Sequence, residues 1–136
     1  MRLPRGSLFI ILAVIAVAGG VAAAAANYIK ERHKKTEHAI AMTQGNPDRA
    51  MESIVRYGCA ACHNIAGARM PGGFAAVPLA GVADRLYVGG VVENTPENLV
   101  RWIVNPKQFN PKTAMPVTGI TEPQARDVAA YLYQGR

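Results

Sequence analysis

Two cysteines, one tryptophan and nine acidic residues are all that the 136-residue chain contains of those kinds, and each shortage removes a class of protein. One pair of thiols, Cys59 and Cys62, excludes a secreted scaffold stapled by several disulfides and confines all cysteine chemistry to one place. No β-strand pattern precedes that pair, so the strand-to-helix setting of a thioredoxin-type redox motif is missing. No acid, base and nucleophile group around it as a substrate-turning site requires. The shortage of acidic residues leaves a formal charge of +6, which would ordinarily suggest nucleic acid. The excess is uneven, however. Residues 1–44 carry six Lys/Arg against two Asp/Glu, and residues 45–136 carry nine against seven. The surplus therefore flanks a hydrophobic stretch and forms no basic face, and no nucleic-acid partner is expected.

What is abundant is apolar surface near the N-terminus. From Leu8 to Ala26 run nineteen residues without a charge or a strongly polar side chain. As a helix they reach roughly 28 Å, close to the thickness of a hydrocarbon core. Arg2 and Arg5 precede the stretch as in a signal peptide, and Ala22 to Ala26 offers peptidase-like A-x-A sites. The run is longer than an ordinary signal core and leads into Asn27, Tyr28 and Lys30, so residues 1–29 are read as an uncleaved transmembrane anchor in contact with lipid. Residues 30–45 follow as a juxtamembrane stalk or linker, either a helical continuation supported by Glu31 and Lys35 or a solvated tether. Lys30, Arg32, Lys34 and Lys35 outnumber the two arginines before the span, a balance that taken alone would place the following domain in the cytoplasm. The chemistry of the next motif overrides it.

Arg56-Tyr57-Gly58-Cys59-Ala60-Ala61-Cys62-His63 contains C-x-x-C-H, the spacing that attaches haem c. Two intervening residues let both sulfurs reach one edge of the macrocycle, and the adjacent His63 turns its imidazole to the iron as proximal ligand. A disulfide, a thioredoxin pair, a zinc half-site and coincidence compete with this reading. None gains support elsewhere, since the only other histidines, His33 and His38, lie in the stalk. Covalent attachment takes place outside the cytoplasm, which puts the domain on the periplasmic side of a bacterial inner membrane.

A one-electron carrier needs a second axial ligand, and a thioether favours ferrous iron and raises the potential. Met42 and Met51 precede the motif, and Met70 follows His63 by only seven residues. Met115 lies 52 residues beyond His63, in a loop bracketed by Pro111 and Pro116 that fixes the backbone at both ends. Met115 is therefore the expected ligand, against the ordinary reading of a lone methionine as core filler.

With these residues in place, the stretch from about Arg49 to Gln134 resembles the class I c-type cytochromes, especially small domains found with bacterial respiratory oxidases. The resemblance implies an all-α fold, a small helical wrap of residues 46–136 around one covalent haem c, joined to the N-terminal transmembrane helix. Val77-Pro78-Leu79-Ala80-Gly81 stands where such domains carry Gly-Pro-x-Leu-x-Gly, with Val77 departing from the usual Gly. By resemblance, the Pro78 carbonyl accepts the His63 Nδ1 proton, Arg85 lies near the haem propionates, and Trp102 donates its indole N–H to them. Ala50 falls where a Gly often permits the first and last helices to cross.

Local signals agree with helices. Asn46 and Pro47 open one that runs to Tyr57, Thr95 and Pro96 open a second through Val104, and a Thr121/Gln124 capping box opens a third that ends at Gly135. So small a domain needs the porphyrin as core and cross-link, and the apoprotein is expected to be largely unfolded. Both axial positions are filled, so the expected function is electron transfer without catalysis. The resemblance implies a donor to, or a subunit of, a terminal haem-copper oxidase or another respiratory complex. A haem c subunit of a membrane-bound dehydrogenase is the alternative. A haem sensor or peroxidase-like enzyme with open iron, and a zinc or disulfide module, remain as further readings.

Overall fold

The computed structural model describes residues 5–68 and 75–135, so Arg2 and Met70 lie outside the described residues. The chain folds as two units that meet in sequence between Lys34 and Lys35.

The first unit is formed by helix α1 (Arg5–Thr43), whose final residues belong to the second. Its composition of Ala, Leu, Ile and Val without an internal proline favours a continuous helix. Every residue from Leu8 to Lys30 is exposed, including Phe9, Ile10, Ile15 and Val17. A helix apolar on all sides with no protein to pack against matches lipid as its solvent. It is long and apolar enough to cross a membrane, although a signal sequence has the same properties.

In the second unit the residues after Lys35 are not a free stalk. They stay helical to Thr43, and Ala39 and Thr43 are fully buried in it. Thr43 Oγ1 donates to Ala39 O at 2.7 Å and accepts from Gly45 N at 3.2 Å, while Thr43 O accepts from Arg126 Nη1 at 3.1 Å. These bonds satisfy groups that a helix end leaves unpaired. The compact unit thus begins ahead of Asn46, because the last turn of α1 has a partner.

Asn46 Oδ1 accepts from Asp48 N and Pro47 opens a short 3-10 turn, which passes into α2 (Ala50–Arg56). Gly58, at φ 69°, reverses the chain into the one-turn helix α3 (Cys59–Cys62). A hairpin of two short strands follows, β1 (Tyr87–Val88) and β2 (Val92–Glu93), paired antiparallel with Val88 opposite Val92. Gly89 and Gly90, both at positive φ, form its turn, closed by Val91 N to Val88 O at 3.1 Å. Helix α4 (Pro96–Val104) starts on Thr95, whose Oγ1 accepts from Asn98 N. Helix α5 (Glu122–Tyr133) starts on Thr121, whose backbone N–H and hydroxyl both donate to Gln124 Oε1. Apart from the hairpin, the all-α expectation holds.

Helix α5 packs against α2 and α4 around Ala50, Ile54, Leu99, Val100, Ala125, Val128, Ala129 and Leu132. The backbone comes very close to α5 at Gly45, ahead of α2. A Cβ on Gly45 would sit 2.0 Å from Arg126 O, so only glycine fits. The buried Asp127 carboxylate accepts from Asn46 N at 2.6 Å and from Arg49 Nε and Nη2 at 3.0 Å each. That pair holds the Arg49 guanidinium above its usual pKa, chiefly through the hydrogen bond.

Candidate functional site

The site is assembled where α2 hands over to α3. Gly58 turns the chain so that one helical turn presents Cys59 and Cys62, and His63 N donates to Cys59 O at 3.0 Å to end it. Both thiols are free, Cys59 half-buried against the core and Cys62 exposed. Burial pushes the Cys59 thiol up. Among the described residues no three His, Cys, Asp or Glu side chains group as metal ligands, which removes the support a zinc reading would need.

His63 lies 2.8 Å through Nδ1 from the carbonyl of Val77. A carbonyl only accepts, so Nδ1 carries the proton and Nε2 keeps its lone pair for a metal. The expectation placed this bond on Pro78 and is corrected here. Ala76 N donates to Cys62 O at 3.0 Å and Leu79 N to Asn64 O at 2.9 Å, a register that sets residue 77 beside His63. Pro78 O is turned elsewhere and accepts from Arg85 Nη2, which also donates to Ala80 O at 3.1 Å. Arg85 therefore braces the 77–80 segment. Its Nε and Nη1 make no hydrogen bond to the described residues, which leaves donors for a propionate.

Trp102 is buried on α4, its ring 6.2 Å from that of Phe109. The far end of the indole lies against Gly89, where a Cβ would come within 2.1 Å of it. Gly89 is thus required both by its φ of 57° and by the tryptophan. Met115 is half-buried and packs on the same apolar cluster as Cys59, Leu79, Ile65 and Trp102. Its loop is tied by Thr113 N to Asn110 O at 3.0 Å and Met115 N to Thr113 Oγ1 at 3.3 Å. Met51 packs on the same cluster from α2, with its terminal methyl against Gly67.

Two thiols one turn apart, an imidazole with Nε2 free and a thioether on the same cluster form the donor set that haem c takes. Val77, beside His63, and Leu86 and Val117 are 61%, 79% and 51% exposed despite being apolar, surface that a large apolar ligand could cover. A model of the family described as cytochrome c matches residues 50–135. The chain belongs to the cytochrome c family. No curated protein and no solved structure matched it.

This cytochrome accordingly binds a covalently attached haem c, and a domain of this size suits one such group. The group supplies an iron that takes up and gives back one electron, so the chemistry is electron transfer, and the family is typically a carrier and not an enzyme. The match leaves residues 1–49, including all of α1, outside the family. Sequence reading missed the Val77 carbonyl, because backbone register has no local signature. Gly89-Gly90 between valines did carry a hairpin signal that went unused.

Proposed function

We propose that this cytochrome is a membrane-anchored, single-haem electron carrier on the periplasmic side of a bacterial inner membrane, donating to or forming part of a terminal haem-copper oxidase. The carrying observation is the His63 Nδ1 to Val77 carbonyl bond, one residue beyond a helical turn bearing two free thiols, which leaves Nε2 to ligate iron. In this reading Cys59 and Cys62 would hold the haem through thioether links, His63 and Met115 would ligate its iron, and Arg85 and Trp102 would offset propionate charge. The Val77 carbonyl fixes the orientation and tautomer of the His63 ring. Met115 would keep water and exogenous ligands from the iron, leaving no open position for a substrate. Partners would dock through a small, transient contact. Helix α1 supports the membrane part of the proposal by its exposed apolar surface. A tether of this kind raises the local concentration of the domain near its partners, so weak docking suffices.

The test is an optical titration of detergent-extracted protein. The chromophore should stay with the polypeptide through acid-acetone extraction, and the reduced wild type should resist carbon monoxide at neutral pH. Met115→Ala should bind it readily. A colourless wild type sinks the haem assignment, and a wild type as reactive as the variant sinks the assignment of Met115. A mild-detergent pull-down that recovers a dehydrogenase instead of an oxidase would overturn the partner.

A further inference from the structure

One residue outside every motif commits its side-chain N–H donors and its backbone N–H to the loop that carries Arg85. Asn94 Nδ2 donates to Val82 O at 2.7 Å and to Arg85 O at 2.8 Å, and its backbone N–H donates to Leu86 O at 2.9 Å. Its Oδ1 accepts from the Tyr133 hydroxyl at 2.8 Å, which anchors the side chain to α5. The amide orientation is forced, because two carbonyls can be met only by N–H donors. Gly81, at φ 67°, opens the 3-10 turn over Val82–Asp84 that these bonds close. The residue leaving this turn is Arg85, whose guanidinium grips the Pro78 and Ala80 carbonyls. Between Val77, which faces His63, and the gripped Pro78 there is one peptide bond, so a shift of the brace moves the histidine's acceptor.

We infer that Asn94 is a positioning residue for the axial histidine: it holds the 82–85 turn so that Arg85 fixes the 77–80 carbonyls, and with them the acceptor of His63 Nδ1. The inference rests on the proposed ligation of iron by His63. Its function is to tune the redox site. A strong Nδ1–H···O bond gives the imidazole more anionic character, which stabilises ferric iron; a loosened bond favours ferrous iron. Tyr133 is the outer end of the same chain of contacts, and its hydroxyl reaches the turn through Asn94.

The experiment uses the full haem-loaded chain in detergent. Asn94→Asp keeps size and shape but sets an acceptor against two carbonyls; Asn94→Ala serves where the aspartate form does not accumulate. Exchange of the His63 Nδ1 proton, followed by NMR in the ferrous state, should speed up severalfold, because its acceptor is no longer held in place. The equilibrium constant for reduction should rise roughly three- to tenfold, about 30 to 60 mV at 59 mV per decade for one electron. Tyr133→Phe should move both in the same direction by less. A thermal midpoint that falls while proton exchange and potential stay at their wild-type values reduces Asn94 to a structural residue and overturns the inference. Wild-type protein without covalent haem overturns the ligand assignment and this inference together; haem-loaded wild type whose variants keep both values overturns this inference alone.

Discussion

The two sides of the haem domain are built by opposite means. Where the end of α1 and α2 meet α5, Ala39, Ala50, Ile54, Ala125, Ala129 and Ala130 have no exposed surface, and small side chains let backbones touch at Gly45. Arg126 bridges Glu97, Glu122 and the Thr43 carbonyl, and Asp127 ties Asn46 and Arg49. On the other side, the segment after His63 is held by single main-chain bonds, by the Tyr131 hydroxyl donating to Ala66 O at 2.6 Å and by the contacts of Arg85 and Asn94, and it turns Val77 and Leu86 outward. The first side is complete as polypeptide. The second reserves apolar surface for something the chain does not encode, so cofactor and fold are joined there and not at the crossing.

The comparison breaks hardest if attachment is removed. Cys59→Ser with Cys62→Ser should give a chain without covalent haem, whose domain no longer unfolds cooperatively. Amide exchange should lose protection over residues 63–68 and 75–93, with what protection persists confined to α2 and α5. Equal protection on both sides would show that the site segment stands without its ligand.

The crossing can be broken alone. Gly45→Ala sets a Cβ against backbone atoms, Arg126 O at 2.0 Å and Asp127 N at 2.7 Å, which cannot rotate away. The crossing must open, at a cost of about 3 kcal/mol from the upper range for overpacking. For a domain near 100 residues that lowers the thermal midpoint by roughly 12 to 24 °C. The optical spectrum of the haem should hardly change below the transition, because Gly45 is on the complete side. A variant with an unchanged midpoint would mean that the helices do not approach this closely.

What was legible in the sequence follows the same division. Capping residues and prolines announce helix starts by local chemistry, so Thr95-Pro96 and the Thr121/Gln124 box were readable directly. Haem chemistry was readable because two thiols and an imidazole must be adjacent in sequence to serve one ligand. Contacts made at long range were not. Gly45 against Arg126, Asp127 against Arg49 and Asn94 against Tyr133 join residues between 39 and 81 positions apart, and no spacing rule connects them. Val77 was missed for a subtler reason. Proline marks an extended segment but does not say which neighbouring carbonyl faces the imidazole, and two bonds from Ala76 and Leu79 decide that.

The mildest way to sharpen the comparison is to titrate a side chain that links the two sides. Tyr133 extends from α5 to Asn94, and burial pushes its pKa up to about 12. An unfolded tyrosine ionises near 10. Between these values the folded domain holds a proton that the unfolded chain has released, so the stability from this group is complete below about pH 10 and declines as pH rises through about 12. Tyr133→Phe removes the hydrogen bond, about 1 kcal/mol, and removes the tyrosine's share of the pH slope. Denaturant unfolding of wild type and variant at pH 8 to 11.5 should therefore give curves that converge toward the alkaline end, with the variant the less stable at pH 8. Parallel curves would mean that this hydroxyl ionises as freely in the fold as outside it, and α5 would then exert no hold on Asn94 through that bond.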